Sequence, residues 1–392
     1  MKIKVIIGAN YGDEGKGLAT NYWSHNLAKN DEFYGTIILN NGGAQRGHTV
    51  ETEDGFRHVF HHFGSTNNKC WRTYCYKDFI INPAIWNKER MELAKLGLTP
   101  ETAIHPDCIV STPFDMILNQ LVTLSNKTTG SVGVGIWETI KRQEDLPTKY
   151  NTADFYDSTF KHSLITYFQK KCDEYQIDPQ IKADFLKDIN LEKLYDHFLY
   201  DFVTMKNHCP TATLQEIKDN SHALIIENGQ GLLLDKLLDK ENNTPSNTGS
   251  DNIISLLSEI QNEYDDVETC YVSRTYLTRH GDGPLEGEVS HPNKISEKIE
   301  VDLTNITSVY QGSIRYGKLD IKTLIARLKT DAEKYNKLEF SKNCKQSLFL
   351  THINETEYNF MKIISNTGFN FLKHGYLSDS KFYSNINKIY FS

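Results

Sequence analysis

The sequence has 392 residues, of which 39% are hydrophobic and 11% aromatic, and a formal net charge of −8. This composition predicts a globular chain with a large buried core. An acidic chain without a dense Lys/Arg stretch is a poor partner for nucleic acid, and no window approaches the ~20 apolar residues of a membrane helix. Seven scattered cysteines without C-x-x-C spacing favour reduced thiols over a zinc site. We therefore expect a cytoplasmic protein with neither a nucleic-acid nor a membrane partner.

The N-terminal segment predicts a strand, a glycine-rich loop and a helix. An apolar run over Lys2–Ile7 ends at Gly8, and the turn from Gly12 to Gly17 leads into a helix predicted over Leu18–Lys29. Backbone N–H groups at the start of such a helix attract anions. The segment therefore predicts a phosphate-binding loop.

The later elements continue the same alternation of strands and helices. Strands are predicted over 36–39, 223–226 and 347–350, and apolar residues at helical spacing predict helices between about residues 155 and 206. This pattern indicates an α/β fold with a mainly parallel central sheet flanked by helices, in which sites lie at the carboxyl ends of strands. Because no repeat or linker divides the chain, we predict a single domain over residues 1–392 with a helical insertion at about 155–206.

The loop from Gly8 to Gly17 reads GANYGDEGKG. It differs from the standard P-loop, because six residues separate Gly8 from Gly15 and Gly17 replaces the Ser/Thr that would hold Mg²⁺. A carboxylate among phosphate-binding amides is repelled unless it binds a cation or moves a proton. Asp13 is therefore predicted to ligate Mg²⁺ or to act as a base, with a plain Gly/Asp surface turn as the alternative.

Segments in order along the chain resemble the motifs of the adenylosuccinate synthetase family. They are Gly8–Gly17, Asn41–Thr49, Lys127–Gly130, Glu227–Gly231 with Leu233–Asp235, Thr278-Arg279 with Gly283-Pro284, and Gly317–Asp320. The resemblance implies an adenylosuccinate synthetase-like fold related to the P-loop NTPases, a carbon–nitrogen ligase activity, and Mg²⁺ as the cofactor.

The family reaction activates a purine carbonyl before an amine displaces it. The resemblance implies that L-aspartate is joined to the 6-position of a purine 5′-monophosphate, most simply IMP, through a 6-phosphoryl intermediate and with NTP hydrolysis, GTP being the family's triphosphate. Asp13 would remove the N1 proton, while His48 would donate to the transferred phosphoryl group and Lys16 would offset its charge. The resemblance also implies that Asp13 and the carbonyl of Gly47 hold the Mg²⁺.

The family pattern implies that further residues, inside and outside these motifs, contact nucleotide or phosphate groups. They are Gly12, Glu14, Gly15, Gly17, Gln45, Thr128, Thr129, Gly130, Arg142, Gln230, Thr244, Arg315 and Asn354. Arg142 falls where the family supplies an arginine from the neighbouring subunit, which implies a homodimer. A solvated helix end is the alternative interpretation of Arg142.

Three departures from the family pattern bear on specificity. Gln45 replaces an asparagine that contacts the nucleotide in the family. In the loop where the family has several consecutive arginines, only Arg315 remains. Asn354 stands where the family has an aspartate that reads guanine. An asparagine both donates and accepts, so ATP is an alternative to GTP. ATP- or dATP-dependent ligation of aspartate to dGMP, as in phage relatives, is therefore an alternative function, although those relatives replace the aspartate that is present here as Asp13. An inactive nucleotide-binding homologue is the remaining alternative.

Overall fold

Strands and helices alternate along the chain. The computed structural model describes residues 1–28, 34–127, 131–238, 244–260, 264, 266–300, 307, 310–338, 344–357, 372–379 and 387–390. Within these ranges the strands are β1 (Lys2–Gly8), β2 (Gly35–Leu39), β3 (His48–Glu51), β4 (Arg57–Phe60), β5 (Trp71–Cys75), β6 (Ile80–Ile81), β7 (Thr102–Ile104), β8 (Ile109–Val110), β9 (Ala223–Gly231), β10 (Asp266–Arg274), β11 (Leu277–His280), β12 (Glu288–Val289), β13 (Ile314–Gly317), β14 (Cys344–Thr351), β15 (Leu372–Leu377) and β16 (Asn387–Tyr390).

The helices cover both faces of the strands. They are α1 (Lys16–Leu27), α2 (Pro83–Lys95), α3 (Pro113–Asn126), α4 (Ile136–Asp145), α5 (Ser158–Glu174), α6 (Pro179–Leu186), α7 (Leu191–Lys206), α8 (Leu214–Asp219), α9 (Asp251–Glu259) and α10 (Ile321–Glu333). Across the described ranges, none of them combines the length and the apolar character that a membrane crossing requires.

The central sheet has nine strands in the order β16-β15-β14-β10-β1-β9-β2-β5-β7. Every neighbouring pair is parallel except β15 with β16. This arrangement confirms the predicted α/β fold with a mainly parallel sheet. The middle strand β1 lies between β10 and β9, and its last residue Gly8 pairs with Val272 on one side and Gly231 on the other. The carboxyl ends of the three strands therefore meet at one edge.

Two hydrophobic cores lie on opposite faces of this sheet. Ile3, Val5 and Ile7 of β1 belong to one core, and Ile6 belongs to the other, because neighbouring side chains of a strand point to opposite faces. The predicted helical region 155–206 contains α5, α6 and α7, and apolar residues of these helices join the core of Ile6. Its status as an insertion in a single domain remains a prediction.

Two predicted boundaries moved for identifiable reasons. Helix α1 begins at Lys16 rather than Leu18, because Gly15 takes the left-handed conformation (φ 95°) and serves as its N-cap. Its predicted end at residue 29 lies outside the described residues. Strand β9 continues from the predicted end at 226 to Gly231, because Glu227 still pairs with β1 and β2 although the apolar run has ended.

Candidate active site

The loop between β1 and α1 is folded around the side chain of Glu14. This buried carboxylate accepts the backbone N–H groups of Gly12 at 2.8 Å and Asn10 at 3.1 Å. Burial raises the pKa of Glu14, and nearby Lys16 opposes that effect. The Glu14 side chain thus holds the loop in shape, and the nucleotide contact expected of this residue from the sequence remains a prediction.

Lys16 lies inside the same loop. Its Nζ donates to the carbonyl of Gly12 at 2.6 Å and is 3.7 Å from Glu14 Oε2. Burial lowers the pKa of Lys16, against the opposing effect of Glu14 and Asp13. Gly8 has no room for a side chain here, since an added Cβ would lie 2.5 Å from the carbonyl oxygen of Gln230 and 3.1 Å from Lys16 Nζ.

Asp13 is held by its backbone, while its carboxylate is partly exposed. Arg274 Nε at the end of β10 donates to the Asp13 carbonyl, and Thr351 Oγ1 at the end of β14 donates to the Glu14 carbonyl at 2.8 Å. The Asp13 side chain is 25% exposed, and its Oδ2 is 3.7 Å from Nε2 of His280. The main chain of the loop is therefore fixed, and the carboxylate is left available to a ligand.

His48 opens strand β3 directly beside this loop. An added Cβ at Gly17 would lie 2.6 Å from the Thr49 carbonyl oxygen and 3.2 Å from His48 Cβ, so the first turn of α1 packs against the start of β3. Lys16 is among the charged groups that act on the pKa of His48. The fold thus brings His48, Lys16 and the loop of Asp13 together.

Glu227 on β9 is a partner of His48 that the sequence analysis did not identify. Glu227 Oε1 accepts from His48 Nδ1 at 2.6 Å, and Oε2 accepts from Arg46 Nη2 and from the Ser65 backbone N–H, both at 3.2 Å. A glutamate directly after the apolar run Ala-Leu-Ile-Ile was the signal that could have found it.

The protonation of this pair follows from its surroundings. Burial and the positive charge of Arg46 lower the pKa of His48 to about 3. Burial alone would raise the pKa of Glu227, but Arg46 and His48 outweigh it and lower this pKa to about 2. At neutral pH the pair is therefore an ionised Glu227 that accepts from Nδ1–H of a neutral His48.

Gln45, beside Gly42, and Gln230, beside the loop, offer unused polar atoms. The Oε1 atom of each is buried without a hydrogen-bond partner. Gln230 has a left-handed backbone (φ 60°), and its Cα would be 3.2 Å from a Cβ added at Gly12. Buried polar atoms in proteins nearly always have partners, so these amides suit a polar ligand. The Thr244 hydroxyl, by contrast, donates a hydrogen bond to the carbonyl of Leu234 at 3.0 Å.

Arg315 and Asn354 lie on other elements. Arg315 on β13 donates from Nη1 to both carboxylate oxygens of Glu288 at 2.9 Å and from Nη2 to the Gly283 carbonyl at 2.6 Å. Its Nε is buried and has no hydrogen-bond partner. Asn354 is exposed in a short turn of helix after β14. Thr128, Thr129 and Gly130 lie outside the described residues.

Arg142 is buried inside its own chain. Its Nε and Nη2 donate to the two carboxylate oxygens of Asp115 at 2.8 and 2.9 Å, and the remaining donors reach Val110, Leu146 and Thr148. With 1% exposure, Arg142 is not the solvated helix end that was the alternative interpretation. Its contact with a phosphate of a neighbouring subunit remains a prediction and would require this network to open.

The oxygen donors beside the loop fit a magnesium ion. The Asp13 carboxylate is partly exposed, and the residue Gly47 is exposed. Carboxylate and carbonyl oxygens are the protein ligands that Mg²⁺ takes, usually with phosphate oxygens and water completing the shell. Among the described residues no group of three His, Cys, Asp or Glu side chains forms a metal cage. A site of this kind thus depends on phosphate groups for further ligands.

Comparisons with known proteins agree with the motifs. The family model of adenylosuccinate synthetase matches residues 5–343. Adenylosuccinate synthetase 1 of Photorhabdus laumondii is 22% identical over 296 residues, which are 74% of this chain and 66% of that protein. The adenylosuccinate synthetase of Borrelia turicatae is 24% identical over 347 residues, which are 83% of this chain and 73% of that protein.

Solved structures have the same fold. A fully ligated adenylosuccinate synthetase from Plasmodium falciparum has a TM-score of 0.63 and 18% identity, covering 99% of this chain and 87% of its own. The succinoaminodeoxyadenylate synthetase of cyanophage S-2L, bound to dGMP and to dATP as an energy donor, has a TM-score of 0.63 and 14% identity, covering 99% and 95%. Because the family model spans most of the sequence, the chain belongs to the adenylosuccinate synthetase family of ligases.

Proposed function

We propose that the protein joins L-aspartate to the 6-position of a purine 5′-monophosphate, IMP in the simplest case, with hydrolysis of a nucleoside triphosphate. The observation that carries this proposal is the position of the His48–Glu227 pair beside the loop that holds Asp13 and Lys16. A purine 6-oxo group is a poor leaving group, so it must be phosphorylated on oxygen before the aspartate amine displaces it. The cluster contains a group for each part of that activation.

In this proposal Asp13 is the base that starts the reaction. Its partly exposed carboxylate accepts the proton from purine N1, and the electron pair released makes O6 the nucleophile toward the γ-phosphoryl group. The backbone of Asp13 stays in place because Arg274 binds its carbonyl. A bound Mg²⁺, held by Asp13 and the Gly47 carbonyl, would offset negative charge on the phosphates.

His48 stabilises the transferred phosphoryl group in the same scheme. Glu227 fixes the ring through Nδ1, which leaves Nε2 as the atom that meets the ligand. Donation from Nε2 to a phosphoryl oxygen requires a second proton on the ring, and the carboxylate of Glu227 favours that imidazolium when the anionic group arrives. Lys16 adds positive charge once its Nζ leaves the Gly12 carbonyl for a phosphate.

A direct assay tests this function. Purified protein is incubated with L-aspartate, Mg²⁺ and either GTP or ATP, and the ultraviolet absorbance of the succinylated purine is followed with IMP, GMP, dIMP and dGMP. We expect product from IMP, and none from the Asp13→Ala variant. Binding of nucleotides without product in any combination would overturn the proposal and favour an inactive nucleotide-binding homologue.

Ligation of aspartate to dGMP with ATP or dATP is a second candidate. Asn354 at the position that reads guanine favours it, as does the loss of every arginine but Arg315 from the loop that contacts the ribose in the family. The cyanophage enzyme with which this chain shares its fold was solved with dGMP and dATP. In the same assay, this candidate predicts faster product formation from dGMP with ATP than from IMP with GTP.

We also propose that the working enzyme is a cytoplasmic homodimer. Support comes from the position of Arg142 in the family pattern, where an arginine reaches the neighbouring subunit. Sedimentation equilibrium of the purified protein tests the dimer, for which the expected mass is twice the 45.0 kDa of the chain. A monomer at active concentrations would rule out a site shared between subunits.

A further inference from the structure

His280, the last residue of β11, faces the carboxylate of Asp13. The two side chains approach to 3.7 Å between Nε2 and Oδ2, and the His280 side chain is 7% exposed. Both of its ring nitrogens are covered by protein, and neither has a hydrogen-bond partner. The function proposed above gives this residue no role.

Two other buried histidines in the described part of the chain each make a hydrogen bond through one ring nitrogen, whereas the buried His58 also has an unpartnered Nε2. His62 accepts the backbone N–H of Asn82 on Nε2 at 2.9 Å, and His48 donates from Nδ1 to Glu227. A buried ring with two unpaired nitrogens is unfavourable, because it has lost its hydrogen bonds to water without replacement. The state of His280 therefore indicates that its partner arrives with a ligand or with a small movement that the ligand causes.

The main chain on both sides of this contact is fixed. His280 pairs with Ile314 of β13, and the chain turns immediately afterwards at Gly281, which has a left-handed backbone (φ 66°). On the other side, Arg274 holds the carbonyl of Asp13. Shortening 3.7 Å to the ~2.9 Å of a hydrogen bond therefore needs only side-chain rotation.

Among the described residues, no hydrogen bond holds the carboxylate of Asp13. Its backbone carbonyl has a partner, but its side-chain oxygens receive no hydrogen bond, and His280 is the ionisable group paired with them. A carboxylate without such a partner rotates about its side-chain bonds. A base that must accept one particular proton works best when that rotation is suppressed.

We propose that His280 is a positioning residue for Asp13: with the purine nucleotide bound, its Nε2–H donates to Oδ2 and turns the carboxylate toward the N1 proton. The inference rests on the proposed function, in which Asp13 is the base. An imidazole carries an N–H in both of its protonation states, so the role requires no change of charge on His280. A carboxylate has enough lone pairs to accept this bond and still accept the purine proton.

Three substitutions separate positioning from packing. His280→Leu keeps the volume without a donor, His280→Gln keeps a donor of similar reach, and His280→Asn keeps a donor that is too short. We expect His280→Leu and His280→Asn to lower kcat roughly 10- to 100-fold while KM for the monophosphate stays within about threefold. His280→Gln should retain most of the activity, and a control substitution His197→Leu at an exposed position should retain all of it.

Several outcomes would overturn the inference. An unchanged kcat in His280→Leu would show that the hydrogen-bond donor has no role in turnover. Equal decreases of kcat in His280→Gln and His280→Asn would show that the effect comes from packing. If His280→Leu does not fold, as judged by circular dichroism, the comparison of the glutamine and asparagine variants still decides the question.

A spectroscopic measurement tests the contact without turnover. In protein labelled with ¹⁵N-histidine, addition of IMP alone should slow the exchange of one imidazole N–H, and its signal should disappear in His280→Gln and change in Asp13→Ala. An N–H signal of His280 that changes neither on addition of IMP nor in Asp13→Ala would refute the inference. Failure of the proposed function would appear separately, as wild-type protein that forms no product in the ligase assay.

Discussion

Glu227 carries a charge inside the protein because Arg46 and His48 share its carboxylate. The two partners lower its pKa to about 2 against the effect of burial, and the same surroundings lower the pKa of His48 to about 3. In the unfolded chain neither group is buried or close to Arg46, so the pKa of His48 returns to 6.5 and that of Glu227 to 4.5. Stability must therefore depend on pH at this site.

The free energy of unfolding should fall as the pH decreases through this range. Between pH 6.5 and about 3 the unfolded state takes up a proton at His48 that the folded state does not. Below pH 4.5 the unfolded state also takes up a proton at Glu227, which lowers the free energy of unfolding further. At a pH where a group is protonated in the unfolded state and deprotonated in the folded state, the free energy of unfolding changes by about 1.4 kcal/mol per pH unit. Urea unfolding at pH 6.5 and pH 5, without Mg²⁺ or nucleotide, measures this slope.

The variant His48→Asn isolates the histidine contribution. Its slope between pH 6.5 and pH 5 should be shallower than that of the wild type, while the same substitution at the exposed His197 should leave the slope unchanged. A wild-type slope in His48→Asn would mean that His48 titrates normally in the folded protein.

His48→Asn also tests the chemical role of the ring. Asparagine can still donate a hydrogen bond, but it cannot become positively charged beside Glu227 when the phosphoryl group arrives. We expect kcat to fall roughly 10²- to 10³-fold with a much smaller rise in KM. Steady-state kinetics with IMP give both constants, and a variant with wild-type kcat would contradict the assigned role.

At the scale of elements, the loop after β1 keeps its shape through close backbone contacts. Gly8 and Gly17 each lie against the main chain of another element, the carbonyl of Gln230 in β9 and the carbonyl of Thr49 in β3. These contacts set the distance between the phosphate loop, the amides of β9 and the histidine of β3. The loop geometry thus depends on three elements rather than on its own sequence.

Gly8→Ala should disturb that geometry. The added methyl would lie 2.5 Å from the Gln230 carbonyl oxygen and 2.7 Å from Glu14 Oε2, and the backbone contact cannot be relieved by rotating a side chain. We expect at least a tenfold loss of nucleotide affinity by calorimetry, equivalent to about 1.4 kcal/mol. Gly55→Ala, where no atom lies within 4 Å of the methyl, should lower stability through its left-handed φ of 88° but leave affinity unchanged. Equal affinities in the two variants would show that the loop adapts.

At the scale of the whole molecule, the sheet gathers groups that are far apart in the chain. The ends of β1, β9, β10 and β14 supply Gly8, Gly231, Arg274 and Thr351 at one edge, and the segment after β14 supplies Asn354. Such an edge can hold a monophosphate and a triphosphate side by side, which is the arrangement the proposed reaction needs. In the proposed function, the segment after β14 selects the triphosphate.

Asn354→Asp should change that choice. An aspartate accepts two hydrogen bonds and donates none, which matches the N1–H and N2–H groups of guanine and not the edge of adenine. We expect the ratio of kcat/KM for GTP over ATP to rise by at least tenfold, about 1.4 kcal/mol. The ligase assay with both triphosphates measures it, with Asn336→Asp at an exposed position just after α10 as a control. An unchanged ratio would mean that another residue reads the base.

The sequence determined the fold class and the glycine-rich loop between β1 and α1, because both depend on local patterns. Apolar runs marked β1, β2 and the start of β9, and the motif around Asp13 and Lys16 indicated the family. The start of α1 was predicted two residues late, since it depends on the left-handed conformation of Gly15 rather than on apolar spacing.

The tertiary structure alone decided which side chains face one another. Glu227 is 179 residues from His48 and 181 from Arg46, and His280 meets Asp13 across an even longer stretch of chain. No local pattern encodes such pairs, because they follow from the order of strands in the sheet. Arg142 is a further example, since its position in the family pattern gave no sign that it is buried against Asp115 within its own chain. Periodicity and spacing are properties of neighbours in sequence, whereas hydrogen bonds and pKa shifts are set by neighbours in space.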